Sequence, residues 1–190
     1  MKRAYQWYDA VASCFLSYFY VYFLTINKYT YCLIIFMNTF ERSLIIIKPD
    51  ALQRNLLGEI IGRFERKGLH IIGLKMMRLD DVLLDAHYAH HRDKPFFGEL
   101  KNFMKSSPVV IMAVRGIDAI KAVRIIVGAT RGSEADCGSI RGDLAMSTQN
   151  LVHASDSVEN GELEIVRFFR ADELFEYKKI DFETIYGVEK

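Results

Sequence analysis

Cysteine and proline are scarce in this chain of 190 residues, which has three of each. Cys14, Cys32 and Cys137 are too widely spaced for a disulfide framework or a zinc-binding pattern, and they indicate reduced thiols of an intracellular protein. Three prolines and 12 glycines exclude a collagen-like or linker-rich chain. The formal net charge of +1 offers no excess of Lys and Arg for broad nucleic-acid binding. We therefore expect a cytoplasmic protein with no nucleic-acid partner.

Charge is also scarce at one end of the chain. Residues 1–40 hold 13 of the 24 aromatic residues but only four charged ones, whereas residues 41–190 hold 22 Lys and Arg and 23 Asp and Glu. The chain as a whole is 51% hydrophobic and 26% charged, which excludes a disordered chain and a polytopic membrane protein. The contrast predicts a hydrophobic, aromatic-rich N-terminal extension over 1–40 and one ordinary domain over 41–190.

The extension allows three interpretations. Residues 10–26 form an uncharged run of 17 residues after Lys2 and Arg3, the pattern of a membrane anchor. The run is rich in Tyr, which favours membrane interfaces over the hydrocarbon interior, so it could instead be a poorly ordered extension. We favour the third interpretation, in which translation starts at Met37, directly ahead of the first predicted strand. A membrane partner is expected only if residues 1–36 are native.

Hydrophobic periodicity in residues 41–190 predicts alternating strands and helices. The apolar run 43–48 indicates a strand covered on both faces, and Pro49 ends it. The predicted strands are 43–48, 69–79, 108–114 and 151–152; the predicted helices are 57–67, 81–91, 97–106, 117–127 and 156–169, with a long loop over 128–142. This order contains the βαββαβ arrangement of the ferredoxin-like fold. We predict an α+β fold with an antiparallel four-stranded sheet and added helices.

His153 is a candidate nucleophile, because it lies between a predicted strand and a predicted helix. A neutral imidazole can attack at physiological pH, and the N-terminus of the following helix favours anionic oxygens nearby. Lys48, at the end of a buried strand, is costly to bury without an anionic partner. With Arg124 and Arg141 these residues suit phosphoryl transfer, although each alone is more typical of a capping histidine or an ordinary surface charge. P-loop and protein-kinase motifs are absent from the sequence.

Two further pairs of residues leave alternatives open. His87 and His91 are spaced as two metal ligands on one helix face, but no third ligand pattern accompanies them. We interpret both as structural or solvent-facing and predict no protein-held metal. Phe96 and Phe97 follow a proline turn and either belong to the core or offer one ring for stacking on a base.

Nine short segments within residues 41–175 carry a resemblance to one enzyme family: IKPDA (47–51), GEIIGRFE (58–65), GLKM (73–76), HY (87–88), KPFF (94–97), SPVV (107–110), GAT (128–130), IRGD (140–143) and NLVHASDSVE (150–159). Together they resemble the nucleoside diphosphate kinase family. The motif around His153 is close to unique to that family. The resemblance implies a ferredoxin-like subunit of a homo-oligomer, a tetramer or hexamer. It also implies transfer of the terminal phosphate of a nucleoside triphosphate to a nucleoside diphosphate, with Mg²⁺ and a ping-pong mechanism.

The resemblance implies a role for each catalytic residue, carried over by position. His153 would be the nucleophile that carries the phosphate as phosphohistidine. Glu164 would orient its ring, with Ser155 assisting, and Lys48 and Tyr88 would contact the transferring phosphate. Seven residues would hold the nucleotide: Lys48 and Asn150 at the ribose hydroxyls, Arg124, Thr130 and Arg141 at the other phosphates, Phe96 on the base, and Leu100 beside Phe96.

Two alternatives to an active kinase remain. One is a nucleotide-binding regulatory member of the family without turnover, and the presence of every implied catalytic residue argues against it. The other is a membrane-tethered scaffold anchored by residues 1–36.

Overall fold

The computed structural model describes residues 40–187, so the predictions made for residues 1–39, including the start at Met37, lie outside the described residues. Over this range the chain forms four strands and eight α-helices. The strands are β1 (Phe40–Ile47), β2 (His70–Met77), β3 (Val109–Ile117) and β4 (Val152–Ala154). The helices are α1 (Pro49–Gln53), α2 (Leu57–Arg66), α3 (Asp81–His87), α4 (Phe97–Lys105), α5 (Ala119–Val127), α6 (Ile140–Leu144), α7 (Val158–Phe168) and α8 (Phe182–Tyr186).

The four strands form one antiparallel sheet in the order β2-β3-β1-β4. Helix α2 connects β1 to β2, and α5 lies between β3 and β4, so the chain follows the βαββαβ path. The predicted α+β fold class is thereby confirmed. Strand β1 is central and pairs with β3 on one side and with β4 on the other.

Both faces of the sheet are covered, which explains the continuous apolar run in β1. Side chains alternate along a strand, so Leu44 and Ile46 enter one core while Ile45 and Ile47 enter the other. All four are fully buried. Helices α2 and α5 pack on the face of Ile45, and α3, α4 and α7 pack on the face of Ile46. A strand buried on both sides has no polar position to alternate with.

Local signals explain most element ends. Gly68 follows α2 with φ of 92°, the left-handed conformation that ends helices. Pro49 ends β1 but also begins α1, because proline at the first helical position loses no hydrogen bond. The Ser157 hydroxyl caps α7 by accepting from the Asn160 amide, so the helix begins at Val158 rather than at the predicted residue 156.

The segment 128–142 is not loop throughout. Helix α6 begins at Ile140, after the Ser139 hydroxyl accepts a hydrogen bond from the Gly142 amide. Arg141 therefore lies on a helix rather than in the predicted loop. Within residues 40–187, no helix is both long enough and apolar enough to cross a membrane.

Candidate active site

His153 occupies the middle of the three-residue strand β4. It pairs with Ile46 of β1, and side chains of directly paired residues lie on the same face of a sheet. The imidazole therefore lies on the face that α3, α4 and α7 cover. Its side chain is 20% exposed, so the ring is held by protein but reachable from solvent.

Glu164 of α7 fixes the orientation of the His153 ring. Glu164 Oε1 lies 3.0 Å from His153 Nε2, and Glu164 Oε2 accepts a hydrogen bond of 2.6 Å from the Ser155 hydroxyl. The Ser155 oxygen in turn accepts from the Leu44 amide of β1 at 2.9 Å. Gly161 lets α7 approach β1, because a Cβ there would collide with the Arg42 carbonyl. The carboxylate is thus tied to the central strand.

The hydrogen bond to Glu164 assigns the tautomer of His153. Burial alone would raise the pKa of the Glu164 carboxyl, but the hydrogen bonds from His153 and Ser155 act against burial, and that pKa is lowered. An ionised carboxylate only accepts hydrogen bonds, so His153 Nε2 carries the proton. The lone pair of the neutral ring is then on Nδ1. A histidine held in this way is a nucleophile with a defined attacking atom.

His87 packs directly behind this pair. Its side chain is 1% exposed, and its ring lies edge-on to His153 with 4.5 Å between the centroids. Burial lowers the pKa of His87 to about 3, so its ring is neutral. Helix α3 ends at His87, and His91 lies in the following 3₁₀ turn, so the two do not share a helix face as predicted.

Lys48 and Asn150 lie side by side near the end of β1. Lys48 Nζ donates to Asn150 Oδ1 at 2.7 Å, and Asn150 Nδ2 donates to the Thr130 carbonyl at 2.7 Å. Lys48 is only 8% exposed. Burial, with the charge of Arg141 adding to it, lowers the pKa of Lys48 to about 8. Among residues 40–187, no carboxylate accepts a hydrogen bond from this ammonium, so the arrangement suits an incoming anion.

Arg141 is almost fully buried and holds the chain that leads into β4. Its guanidinium donates to the carbonyls of Gly128, Asn150 and Val152 at 2.9, 3.3 and 2.7 Å. Burial and the nearby charge of Arg124 lower the pKa of Arg141 to about 10, so it stays charged at neutral pH. Three of its five N–H donors are used in this way, which leaves two for a ligand.

A cavity of about 920 Å³ joins these residues. Ten of the eleven predicted site residues line it, and Ser155 lies behind Glu164. The ten are Lys48, Tyr88, Phe96, Leu100, Arg124, Thr130, Arg141, Asn150, His153 and Glu164. We call His153, Glu164, Ser155, Lys48 and Asn150 the floor of the cavity, and Phe96, Leu100, Arg124 and Thr130 its rim.

The two candidate aromatic residues, Phe96 and Phe97, differ in their exposure. Phe96 is 46% exposed and lies edge-on to His91, whereas Phe97 is half-buried and packs against the core. Phe96 is therefore the ring available for stacking. Tyr88 is buried beside His153, and its hydroxyl has no hydrogen-bond partner among residues 40–187. Burial, with Glu164 nearby, raises the pKa of Tyr88, so the hydroxyl keeps its proton and can donate.

Asp50 and His87 are the neighbours of the site to which the sequence analysis assigned no role. Asp50 Oδ2 accepts a hydrogen bond from the Leu151 amide at 3.1 Å, and Leu151 has a φ of 68°. A non-glycine residue in this conformation costs roughly 1–3 kcal/mol. Asp50 offsets that cost and fixes the residue between Asn150 and β4. The sequence placed Asp50 in a motif with Lys48, but nothing in it indicated a contact across 101 residues.

The site as a whole can bind an anion and transfer a group. A neutral imidazole held by an ionised carboxylate lies in a cavity lined by Lys48, Arg124 and Arg141. Positive charges around a nucleophile stabilise negative charge that develops during transfer.

Comparison with known proteins agrees with a site that transfers a group. The family model described as nucleoside diphosphate kinase matches residues 41–174. The nucleoside diphosphate kinase of Methanobrevibacter smithii is 48% identical over 147 residues, which are 77% of this chain and 98% of that protein.

Solved structures agree with the sequence comparison. A halophilic nucleoside diphosphate kinase from Halobacterium salinarum in complex with CDP is 43% identical, with a TM-score of 0.75, covering 77% of this chain and 98% of that one. The enzyme from Borrelia burgdorferi, a transition-state mimic with bound vanadate and ADP, is 32% identical. Its TM-score is 0.73, and the match covers 78% of this chain and 98% of that one.

Proposed function

This chain belongs to the nucleoside diphosphate kinase family and transfers phosphate between nucleotides, and we propose that His153 carries the phosphate in that transfer. The observation that supports this role is the 3.0 Å contact of His153 Nε2 with Glu164, which leaves the Nδ1 lone pair for attack. The alternatives without turnover are not favoured by these relatives.

The proposed transfer has two matched half-reactions. In the first, His153 Nδ1 attacks the terminal phosphorus of a nucleoside triphosphate, an N–P bond forms, and the bond from phosphorus to the bridging oxygen breaks. The nucleoside diphosphate leaves with that electron pair. In the second, the terminal oxygen of another nucleoside diphosphate attacks the phosphohistidine and regenerates His153. Glu164 stabilises the positive charge on the phosphorylated ring, and Ser155 holds Glu164 in place.

Charge stabilisation comes from the floor and the neighbouring cations. We assign Lys48 and the Tyr88 hydroxyl to the transferring phosphate, because both are buried beside His153. Arg141 would use its two remaining donors, and Arg124 and Thr130 would meet the other phosphates at the rim. Such groups stabilise charge in the transition state without reorganising.

The nucleoside part would lie toward the rim. We assign Phe96, with Leu100 beside it, to the base, and Lys48 and Asn150 to the ribose hydroxyls. Stacking accepts every base, because each has a π-face. The assignment is consistent with nucleotide substrates, since the relatives of known structure were solved with CDP or ADP.

Mg²⁺ is the metal that the family implies, and the residues present fit a metal carried in by the substrate. Four cationic side chains line the cavity, and its three carboxylates, Glu99, Asp156 and Glu164, form no cluster of carboxylates among residues 40–187. Mg²⁺ keeps several waters and binds through phosphate oxygens in such sites. When bound, it would neutralise phosphate charge while Lys48 and Arg141 position the chain of phosphates.

Three further expectations belong to the same proposal. We expect a homo-oligomer, a tetramer or hexamer, working in the cytoplasm, and we expect residues 41–190 to suffice for the activity. Light scattering on chains that begin at Met1 and at Met37 would give the oligomeric state of each. Equal activity of both chains would support the assignment of the chemistry to residues 41–190.

Labelling with γ-labelled ATP tests the central assignment. The protein should take up a phosphate that is acid-labile and base-stable, and His153→Ala should take up none. His70→Gln, on strand β2 and outside the cavity lining, is the matched histidine control and should still take up label. Labelling of His153→Ala at the wild-type rate would show that another residue is the nucleophile.

A further inference from the structure

Three potential metal ligands meet at the floor of the cavity. His87 Nδ1 lies 3.7 Å from Glu164 Oε1, and His153 Nε2 lies 3.0 Å from the same oxygen. One ligand atom from each of the three residues lies within 4.8 Å of the other two. We infer that this His87–Glu164–His153 triad binds a transition-metal dication such as Zn²⁺, and that the bound ion stops phosphate transfer. The second half of the inference rests on the proposed function of His153.

The spacing of the triad suits a tetrahedral ion. Zinc bonds to histidine nitrogen and carboxylate oxygen are about 2.0–2.2 Å long, which puts neighbouring ligand atoms of a tetrahedron roughly 3.4 Å apart. The two distances of 3.7 and 3.0 Å to Glu164 Oε1 bracket that separation. Small side-chain movements would therefore seat an ion between the three atoms.

The surroundings of the triad supply the other requirements of a metal site. The cavity reaches all three residues, which gives an ion an entry path and leaves room for water as a fourth ligand. Ser155 donates to the second oxygen of Glu164 and so orients the carboxylate from outside the triad.

The chemistry of the triad selects the metal. Two imidazoles and one carboxylate suit Zn²⁺, Co²⁺, Ni²⁺ and Cu²⁺, whereas Mg²⁺ requires an octahedron of oxygens and keeps its waters. The Mg²⁺ that accompanies a nucleotide would not compete for the triad. The two metals would occupy different parts of the same cavity.

One charge opposes the ion. Arg167 Nη1 lies 3.4 Å from His87 Nδ1. Arg167 is half-buried and lines the same cavity, so its side chain can turn toward solvent when an ion arrives. Removal of this positive charge should therefore strengthen metal binding, which distinguishes the triad from a site elsewhere on the chain.

The proposed inhibition follows from the tautomer of His153. In the metal-free ring the proton is on Nε2, and Nδ1 holds the attacking lone pair. A metal on Nε2 requires a lone pair on Nε2 itself, so the proton moves from Nε2 to Nδ1 and stays on the ring. The Nδ1 atom can then form no bond to phosphorus. Because the ion lies on the Glu164 side of the ring, Zn²⁺ should lower the rate without competing with the nucleotide.

Cobalt titration of the full chain without nucleotide tests the site. Co²⁺ replaces Zn²⁺ in four-coordinate sites and gives intense visible absorption bands there. The bands should appear with the wild type and disappear with His87→Phe, whose ring keeps the packing against Phe168. If that variant does not fold by circular dichroism, His87→Asn takes its place.

Two variants complete the titration. Arg167→Gln should bind Co²⁺ several-fold more tightly, whereas His90→Gln should bind like the wild type, because exposed His90 is outside the triad. Loss of His87 should weaken binding beyond the roughly 10- to 100-fold that loss of an outer-shell partner costs. Unchanged bands in the His87 variant, loss of bands in His90→Gln, or no bands in the wild type would each overturn the site.

Zinc inhibition of labelling tests the consequence separately. Zn²⁺ should lower the rate of label uptake with no change in the ADP dissociation constant, and EDTA should restore the rate. His87→Phe should keep its remaining rate at the same Zn²⁺ concentration. Competition between Zn²⁺ and ADP, or His87-dependent cobalt bands without inhibition, would refute the tautomer step. Failure of His153 as the nucleophile would appear instead as label uptake by His153→Ala without metal.

Discussion

The floor and the rim of the cavity differ in how firmly the protein holds them. In the floor, Glu164, Ser155 and the Leu44 amide form a continuous chain of hydrogen bonds that ends at the central strand. At the rim, the side chains of Arg124 and Thr130 form no hydrogen bond within residues 40–187, although Asn150 holds the Thr130 carbonyl, and Phe96 is exposed. The floor is organised before substrate arrives, whereas the rim acquires its contacts from the substrate.

This difference separates two kinds of contribution. Preorganised groups lower the barrier of the chemical step, because they need not reorient during transfer. Exposed groups contribute binding energy that is similar for the ground state and the transition state, which changes KM more than kcat. Substitutions in the floor should therefore change kcat, and substitutions in the rim should change KM.

The largest contrast is expected between Lys48 of the floor and Arg124 of the rim. Lys48→Gln should lower kcat by about 100- to 1,000-fold, the usual cost of one preorganised donor at a developing charge. Arg124→Gln should lower kcat/KM by only about 10-fold, because its charge is exposed and screened. Steady-state kinetics measure both, and thermal unfolding checks that each variant folds. Equal loss of transfer and of folding stability in Lys48→Gln would make Lys48 a structural residue.

Within the floor, substitution of Glu164 should lower the rate of transfer, whereas substitution of Ser155 should lower the stability of the fold. Glu164→Gln keeps the size and a hydrogen-bond acceptor but loses the charge, so kcat should fall by about 10- to 100-fold with stability unchanged. Ser155→Ala leaves the buried Leu44 amide without its acceptor, which costs about 1–3 kcal/mol of unfolding free energy. Denaturant unfolding and single-turnover labelling distinguish the two. An unchanged stability of Ser155→Ala would mean that the Leu44 amide finds another acceptor.

The same contrast explains what the sequence could predict. The run 43–48 predicted a strand buried on both faces, because hydrophobic periodicity reports burial directly. The resemblance carried by the segments from 47–51 to 150–159 implied eleven site residues, and ten of them line one cavity. Local sequence thus predicted the strand, and the resemblance predicted which residues meet in the cavity.

Contacts between distant residues could not be predicted in this way. His87 packs on His153 from 66 positions away, and Asp50 supports Leu151 from 101 positions away. His87 was paired with His91 instead, because helical spacing was the only signal, and the helix ends before His91. Arg141 was assigned to a loop, yet its guanidinium holds three backbone carbonyls. These partners depend on the pairing of β4 with β1 and on the packing of the helices against the sheet, which hydrophobic periodicity does not report.

At the rim, Phe96→Ala should weaken nucleotide binding with little effect on transfer. Stacking on an aromatic ring contributes about 1–3 kcal/mol per base, and the exposed ring predicts the lower end, about a fivefold rise in KM. Phe96→Tyr is the matched control and should keep the wild-type KM, because it keeps the ring. A fall in kcat without a rise in KM would show that Phe96 positions the phosphates.

The smallest effect is expected from the pKa of Lys48, which burial lowers to about 8 in the free protein. As pH rises from 7 to 8, about half of the Lys48 side chains lose their charge, so nucleotide affinity should fall by about twofold. The stability of the nucleotide-free protein should change with pH in the opposite direction to the nucleotide affinity. Between pH 8 and 10.5 the unfolded chain holds more protons on Lys48 than the folded chain does, so this residue makes stability rise with pH. Lys48→Arg stays charged throughout and should give an affinity that does not change from pH 7 to 8. Calorimetric titration with ADP at both pH values measures this, and an equal pH dependence in Lys48→Arg would assign the effect to another group.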